Sequence, residues 1–294
     1  MKVLSLFDGI SCGMVALERA GISVERYVAY EIEEDAIKVS KHNYPQIEHK
    51  GDVFEAKYTE GEFDILIGGS PCTHWSISRQ GGWNRETQAS GLGWDLFCQY
   101  TRALREVKPR WFLYENNESM SDDIKNAITH ELGVEPVMID SADFSAQQRK
   151  RYYWTNISFS TDWEKSELVF DDIIYEGEYK YRSYEKYVDT VKWNKNHTVM
   201  KYDTSGKGYY SQANRCRVSS IKMNTLPSLR AADKCNIYVD DKKFRLCHPV
   251  EAERLQTLPD HYTNCIESVN KRMGLCGNGW TVDVITHILR GLHE

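Results

Sequence analysis

One cysteine of this chain lies where a buried strand is predicted to end. The run Ile65-Leu66-Ile67, which follows Asp64, is apolar, is too short for a helix and is stopped by two glycines. Pro71 fixes its own φ angle and biases Ser70 toward an extended shape, so Cys72 is expected on a stiff turn at a strand's carboxyl end. A thiolate held in this way can act as a nucleophile. A free cysteine is more often a small buried apolar residue, and that alternative stays open for Cys72 alone.

The cysteines do not have the spacing of a metal site. Zinc deaminases also contain a Pro-Cys pair, but they need a second cysteine three residues later and an upstream His-x-Glu. Position 75 is Trp, and no His-x-Glu precedes Cys72. The 8 cysteines include no Cys-x-x-Cys, which suits a reducing compartment and argues against a disulfide framework. The sequence therefore predicts that no metal is bound.

Three acidic residues follow successive predicted strands near the N-terminus. The strand 2–7 leads into a glycine turn with Asp8, the strand 26–30 ends before Glu31, and a third element ends before Asp52. An acid about twenty residues beyond a glycine turn can accept both ribose hydroxyls, and Asp52 could accept an adenine amino proton. No phosphate-cradling P-loop motif is present. The pattern predicts a pocket for adenosine without a triphosphate.

Two further groups of residues could complete a reactive site. Glu115 directly follows the predicted strand 111–114, which makes it a candidate proton donor, although acids at such positions often only cap helices. Arg149 and Arg151 would point the same way in an extended segment, so their guanidinium groups could converge on one site. A basic cluster of this kind is more often a solvated edge. Neither group indicates a reactive site by itself, and only their occurrence together supports one.

The elements that must position these residues alternate between strands and helices. Helices are predicted to begin near Met14 and to cover 94–107, 245–256 and 282–292, with a further strand at 135–140. The stretch from Arg79 to Gly93 lacks apolar periodicity and is predicted to be a mobile loop hinged on glycines. We expect three regions. They are a catalytic and cofactor-binding domain at 1–158, a target-recognition region at 159–244, and C-terminal helices at 245–294 that return to the first domain.

Charge is distributed unevenly along the chain. The net charge is −6, yet residues 180–222 carry ten Lys or Arg against three Asp or Glu, interleaved with aromatic residues. This composition favours a nucleic-acid surface, with a solvated face and buried tyrosines as the alternative. The cations predicted to contact nucleic acid are Lys192, Lys195, Lys201, Arg215 and Arg217.

The chain is expected to stay inside the cell. No apolar run approaches the ~18 residues of a membrane span, and the N-terminal apolar run is too short for a signal peptide. We expect no membrane partner. The compartment would be the cytoplasm for a bacterial or phage protein and the nucleus for a eukaryotic one.

Taken in order, these motifs resemble the DNA (cytosine-5) methyltransferase family through nearly the whole chain. Three details resemble the animal de novo branch in particular: the segments 4–10 and 136–140, and the Trp at position 280. The family motifs are Phe7-Asp8-Gly9, Glu31, Gly51-Asp52, Gly69-Ser70-Pro71-Cys72, Glu115-Asn116, Gln147-x-Arg149-x-Arg151, Glu251 to Pro259, and Gly277-Asn278-Gly279-Trp280.

The resemblance implies a Rossmann-like α/β methyltransferase sheet with helices on both faces and a smaller target-recognition domain. It implies S-adenosylmethionine as methyl donor, S-adenosylhomocysteine as product, and double-stranded DNA with a flipped cytosine as substrate. Cys72 would attack C6, Glu115 would act at N3, and Arg151 with Arg149 would hold the O2 side. The donor-binding residues would be Phe7, Asp8, Gly9, Ile10, Ser11, Cys12, Glu31, Asp52, Val53, Phe54, Pro71, Asn278, Gly279 and Trp280.

The loop after Cys72 gains a role from the same resemblance. Closure of residues 73–93 would help to repay the cost of base flipping, with Ser78 filling the vacated stack and Arg79 beside it on the DNA. The chain departs from the family pattern at two positions. Ser11 stands where many relatives have a second glycine, and Asn117 stands where Val is usual.

Two other functions remain open. An RNA cytosine methyltransferase of the tRNA-modifying branch would carry a Cys-Phe-Thr signature, which this sequence lacks. A catalytically silent DNA-binding partner should have lost Cys72, Glu115 or the arginine pair, and all of them are present. The recognised DNA sequence, the biological role (restriction partner, phage self-protection or epigenetic mark) and the oligomeric state are left open by these patterns.

Overall fold

The structure, a computed structural model, describes residues 1–76, 85–183, 192–193, 198–200, 215–226, 235–240 and 243–293. Contacts within the chain divide it into two compact units. The first comprises Met1–Ser141, Lys150–Glu164 and Val282–Glu294, and the second comprises Ala142–Arg149 and Lys165–Thr281.

The first unit is built on a mixed sheet. Its described strands are β1 (Lys2–Leu6), β2 (Arg26–Tyr30), β3 (Glu48–His49), β4 (Ile65–Gly68), β5 (Trp111–Asn117), β6 (Val137–Asp140) and β7 (Lys150–Thr155). The strand order is β3-β2-β1-β4-β5-β7-β6. The strands β1 to β5 are parallel, and β7 runs antiparallel to both β5 and β6. The carboxyl ends of the parallel strands therefore share one edge of the sheet.

Helices cover both faces of this sheet. Its described helices are α1 (Cys12–Arg19), α2 (Glu34–Asn43), α3 (Leu92–Val107), α4 (Asp122–Leu132) and, from the end of the chain, α7 (Val282–Arg290). Leu4 and Leu66 pack in one core with Phe97 of α3 and Ile128 of α4. The alternating residues, such as Val3, point to the opposite face and are equally buried, as expected for a parallel sheet covered on both sides.

The second unit contains a smaller sheet. Its described strands are β8 (Tyr181–Ser183), β9 (Lys192–Trp193), β10 (Thr198–Met200), β11 (Arg215–Arg217), β12 (Asn236–Tyr238) and β13 (Lys243–Leu246), in the order β8-β13-β12-β11-β10-β9. Two helices follow, α5 (Pro249–Leu255) and α6 (Val269–Asn278). A bidentate ion pair from Arg245 to Glu251, at 2.8 and 2.9 Å, joins the last strand to α5.

The predicted helix 245–256 is wrong at its start. Residues 243–246 form strand β13, and the helix begins at Pro249. His248 precedes the proline in an extended conformation and its ring nitrogen accepts a hydrogen bond from the Val250 N–H, which is the geometry of a helix N-cap. The helix predicted from residue 94 begins two residues earlier, at Leu92.

The two units do not follow the boundaries expected from the sequence. Of the predicted C-terminal region, the segment from Val282 belongs to the first unit, where Arg19 Nη1 of α1 lies 2.7 Å from Asp283 Oδ1 of α7. Residues 245–281 belong instead to the second unit. Within the described ranges, no helix has both the length and the apolar character needed to cross a bilayer.

Candidate active site

The turn after β1 is organised around the carboxylate of Asp8. Ser5 Oγ and Tyr27 Oη donate to its Oδ1 at 2.6 Å each, and Ser11 Oγ donates to its Oδ2 at 2.5 Å. Burial raises the pKa of Asp8, while these three hydroxyl hydrogen bonds act in the opposite direction. Because its oxygens are engaged by neighbouring hydroxyls, Asp8 fixes the shape of the turn.

The next strand end is tied to this turn by Glu31. The Gly9 N–H donates to Glu31 Oε2 at 2.8 Å, and the N–H groups of Ile32 and Glu33 donate to Oε1 at 2.8 Å each. Gly9 has φ +59°, a left-handed conformation that glycine adopts without strain. The glycine turn and the ribose-binding acid predicted from the sequence are thus brought together.

Ser11 occupies its unusual position at a backbone conformation that suits glycine. Its φ is +61°, a left-handed conformation that glycine adopts more readily than serine. The Ser11 hydroxyl group makes hydrogen bonds that a glycine could not make. Ser11 Oγ lies 2.6 Å from Ser40 Oγ and also donates to Asp8. The side chains of Ile10 and Cys12 are buried, which limits any contact they make with a ligand to the backbone.

Two exposed apolar side chains flank the ends of β2 and β3. Ile32 is 69% exposed and Phe54 is 47% exposed, although both are large hydrophobic residues. Asp52 caps the short helix that follows β3, accepting from the Phe54 N–H at 3.0 Å. An exposed apolar pair beside acids at strand ends suits the faces of a flat heterocycle. The sequence predicted Val53 or Phe54 for packing on the ring, and Ile32 is a further candidate that it did not indicate.

The turn after β4 is held by neutral groups. Ser70 Oγ lies 2.6 Å from the Tyr114 hydroxyl, and Asn116 Nδ2 donates to both the Ser70 carbonyl and the Tyr114 hydroxyl at 3.1 Å. Ser70 and Asn116 are buried, and burial raises the pKa of Tyr114. The network attaches the turn before Cys72 to the neighbouring strand β5.

Cys72 begins a short 3₁₀ helix, Cys72–His74, immediately after this turn. Its backbone is described and its side chain lies outside the described part of the chain. The preceding strand packs closely against β1 at Gly68, where a Cβ atom would lie 2.7 Å from the Leu6 carbonyl oxygen. The backbone of Cys72 is therefore at the carboxyl edge of the sheet, as predicted, and the role of its thiol as a nucleophile stays a prediction.

Glu115 and Arg151 form a shielded ion pair. Arg151 Nε lies 2.9 Å from Glu115 Oε1, and the two side chains are only 12% and 11% exposed. The antiparallel register explains the contact, because Arg151 pairs with Asn117 and Glu115 is two residues away on the same face of β5. The carboxylate predicted to act on a substrate thus has a fixed cationic partner.

Arg149 does not share the strand of Arg151. β7 begins at Lys150, so the alternation that predicted two converging guanidinium groups does not extend to Arg149. Its side chain is buried and donates from Nη1 to the Gly277 carbonyl and from Nη2 to the Gly279 carbonyl, at 3.1 Å each. These contacts give Arg149 a structural role in holding the turn that also contains Asn278 and Trp280.

The family model for C-5 cytosine-specific DNA methylases matches residues 1–294. The chain belongs to this family. The match covers residues of both units.

Individual relatives agree with this assignment. The type II methyltransferase M.NgoPII of Neisseria gonorrhoeae is 24% identical over 339 residues, covering 100% of this chain and 96% of the relative. The orphan methyltransferase M.SPRI of Bacillus phage SPR is 33% identical over 136 residues, covering 45% of this chain. These alignments span little of the phage proteins, 28% of M.SPRI and 25% of M.Rho11sI of phage rho11s.

Solved structures confirm the fold. A prophage-encoded E. coli protein has a TM-score of 0.66 and 20% identity, covering 100% of this chain and 98% of that one. A mutant of Spodoptera frugiperda DNMT2 has a TM-score of 0.66 and 16% identity, covering 100% and 99%. At these identities the likeness shows the shared methyltransferase fold.

The structure describes only some of the residues that were predicted to contact DNA. Residues 278–280, which were predicted to bind the methyl donor, are described. Ser78, Arg79, Lys195 and Lys201 lie outside the described residues, as do the side chains of Lys192 and Arg215. Arg217 donates to the Lys222 carbonyl. Asn278, Gly279 and Trp280 belong to the second unit, and their role in donor binding stays a prediction.

Proposed function

We propose that this chain transfers a methyl group from S-adenosylmethionine to C5 of a flipped cytosine in double-stranded DNA. The observation that carries the proposal is the shielded pair between Arg151 of β7 and Glu115 of β5, the strand next to the Cys72 turn. Membership of the DNA methylase family supports the same reaction. The sequence departs from the RNA-modifying branch, which supports DNA as the substrate.

The described side chains fit the proposed donor. Glu31 lies at the end of β2 with the exposed Ile32 beside it, and Phe54 is exposed at the end of β3. Carboxylates suit ribose hydroxyls and a cationic ligand, while the apolar pair suits a purine ring. Bound at these strand ends, S-adenosylmethionine would supply an electrophilic methyl group. Glu31 and the Asp8 turn would orient it.

The chain's own residues would activate the cytosine. The Cys72 thiolate would form a bond to C6, and the electron pair of the C5–C6 double bond would shift into the ring. Glu115 would hydrogen-bond or protonate N3 as negative charge develops, with Arg151 fixing that carboxyl group. After C5 has accepted the methyl group, loss of the C5 proton and expulsion of Cys72 would restore the ring. Arg149 is given no step in this scheme: its guanidinium donates to the carbonyls of Gly277 and Gly279, and its predicted action on the O2 side of the cytosine stays a prediction.

Cys72→Ala tests this function directly. We expect methyl transfer to be abolished and donor affinity to stay within a few-fold, because alanine removes the nucleophile without touching Glu31. Bisulfite sequencing of DNA from cells that express the variant measures the first effect, and titration with S-adenosylmethionine measures the second. Cys98→Ala, which removes another thiol of the first unit, is the matched control and should keep activity. Normal turnover by Cys72→Ala would refute the covalent scheme.

We infer that DNA is bound in part by the basic segment 180–222. Lys222 is not available for this purpose, since its Nζ donates to the carbonyls of Ser145, Ser166 and Leu168 at 3.1, 3.0 and 2.8 Å. Replacing Lys192, Lys195 and Lys201 with Gln should weaken DNA binding. It should reduce the slope of log affinity against log salt by roughly 0.9 for each phosphate that is no longer neutralised by a lysine. An unchanged slope would move the DNA surface elsewhere, and Lys57→Gln in the first unit is the control.

A further inference from the structure

The segment 85–93 is attached to the 3₁₀ helix that begins with Cys72. The Glu86 N–H donates to the His74 carbonyl at 2.8 Å, and Glu86 Oε1 lies 3.3 Å from His74 Nδ1. Both side chains are mostly shielded, at 22% and 19% exposure. Glu86 therefore contacts His74, the last residue of the short helix that begins at Cys72, the proposed nucleophile.

The same carboxylate also caps helix α3. The N-cap residue of this helix is Gly91, which has no side chain to accept from the free N–H groups of the first turn. Glu86 Oε2 takes over this function by accepting from the Gly93 N–H at 3.1 Å. A carboxylate is further favoured there by the positive end of the α3 dipole.

The glycines of this segment serve close packing. A Cβ atom at Gly91 would lie 2.7 Å from Glu86 Oε1, and one at Gly93 would lie 2.6 Å from Glu86 Oε2. The Cβ at Gly93 would also lie 2.6 Å from Nε1 of Trp75, which is fully buried. Glycine at both positions therefore lets α3 begin directly against Glu86 and the residues that follow Cys72. From the sequence, these glycines were predicted to be hinges.

Neighbouring contacts extend the attachment to the segment after β5. Arg85 Nη1 donates to the Ser119 carbonyl at 2.8 Å, and Ser121 Oγ donates to the Thr87 carbonyl at 2.5 Å. Ser121 is itself the N-cap of α4. The start of α3, the start of α4 and the Cys72 helix are thus joined by residues 85–87.

We propose that Glu86 is a positioning residue for the Cys72 nucleophile. Its carboxylate couples His74 to the start of α3, and so sets where the 3₁₀ helix of Cys72 lies relative to β5. This inference rests on the proposed methyl transfer. Loss of Glu86 should lower the rate of the chemical step without altering the binding of the methyl donor. The described hydrogen bonds of Glu86 run to His74 and Gly93 and not to residues 7–12, which are proposed to bind the donor.

The test compares Glu86→Ala with Glu60→Ala, which removes an exposed carboxylate paired with Lys108 at 2.9 Å in the same unit. Under single-turnover conditions with saturating donor and DNA, Glu86→Ala should transfer methyl groups about 10- to 100-fold more slowly, as expected for a misplaced reacting group. Glu60→Ala should match the wild type. Glu86→Gln keeps an acceptor for the Gly93 N–H, so it should fold and show an intermediate rate.

Amide hydrogen exchange supplies a readout that does not depend on the reaction. In Glu86→Ala, exchange should accelerate at residues 73–76 and 93–95 and stay unchanged in β5. Unchanged exchange at residues 73–76, or a transfer rate equal to that of Glu60→Ala, would overturn the inference. A wild-type protein without methyl transfer would overturn the proposed function instead, and exchange would still decide whether Glu86 holds the helix.

Discussion

Two turns at the same edge of the first sheet are held by different chemistry. The first turn, residues 7–12, which is proposed to bind the donor, is closed by carboxylates, since Asp8 accepts three hydroxyl hydrogen bonds and Glu31 accepts one from the Gly9 N–H. The second turn, residues 69–72, which contains the proposed nucleophile, is closed by neutral groups, the hydroxyls of Ser70 and Tyr114 and the amide of Asn116. Both turns follow adjacent parallel strands, β1 and β4.

The difference follows from the charges that each turn is proposed to face. A sulfonium donor is a cation, which neighbouring carboxylates stabilise. A thiolate is an anion, and an unpaired carboxylate beside it would raise its pKa and weaken it at neutral pH. The carboxylates close to the nucleophile side have partners, because Glu115 faces Arg151 and Glu86 accepts a hydrogen bond from the Gly93 N–H. The two turns thus separate acidic and neutral surroundings within one sheet edge.

The largest effect on the rate of methyl transfer should come from a substitution at Glu115, which lies on the strand next to the Cys72 turn. Glu115→Gln keeps the size of the side chain but removes the acid and the ion pair with Arg151. We expect the rate of methyl transfer to fall by about 10²- to 10³-fold, the scale seen when one group that stabilises developing charge is lost. Single-turnover kinetics measures the effect, with the exposed Glu106→Gln as control. A rate within a few-fold of the wild type would remove Glu115 from the chemistry.

An intermediate effect should come from the donor side. Glu31→Gln removes the charge that is proposed to bind ribose hydroxyls and weakens the contact to Gly9. The dissociation constant of S-adenosylmethionine should rise by about tenfold, which corresponds to one good hydrogen bond to a charged group. Calorimetric titration measures it, and Glu33→Gln, an exposed acid on the same turn, should leave it unchanged. Equal losses in both variants would contradict the specific role of Glu31.

The smallest effect, which concerns folding stability, should come from Glu48, an acid on β3 that lies outside both turns. Arg26 donates to Glu48 from Nε at 2.7 Å and from Nη2 at 3.1 Å, and with Lys50 it lowers the pKa of Glu48 to about 2 from its ordinary 4.5. Because the pKa is depressed in the folded state, the stabilisation is present above pH 4.5 and is lost as the pH falls toward 2. The pair is partly exposed, so Glu48→Gln should cost about 0.2–1 kcal/mol at neutral pH. Denaturant unfolding at several pH values checks this, and a difference that persists at pH 2 would contradict it.

The sequence predicted the parts of the site that depend on strand order. Asp8, Glu31 and Asp52 each follow one of three neighbouring strands, so recognising short apolar runs as strands was enough to bring them to one edge. Glu115 was predicted to follow a strand at 111–114, whereas β5 extends to Asn117 and contains it. The network of Asn116 with Ser70 and Tyr114 was missed, because it joins residues 46 positions apart and no local pattern specifies that contact.

Other errors had local causes that the sequence did contain. The strand at 243–246 was predicted in part as helix, although Pro249 at the first helical position marks His248 as the residue before the helix. The pairing of Arg149 with Arg151 assumed a continuous strand through both residues. Its start at Lys150 depends on the partner strands β5 and β6, which sequence alternation alone does not reveal.

The central claim is that the Cys72 sulfur bonds to a cytosine of DNA during methyl transfer. A duplex with 5-fluorocytosine at target positions tests it, because fluorine on C5 leaves no proton to lose and the covalent intermediate persists. With S-adenosylmethionine present, we predict a complex that survives denaturing electrophoresis, with the DNA attached to the peptide that contains Cys72. A methyl group transferred to unmodified DNA without such an adduct, or an adduct on another cysteine, would contradict the account.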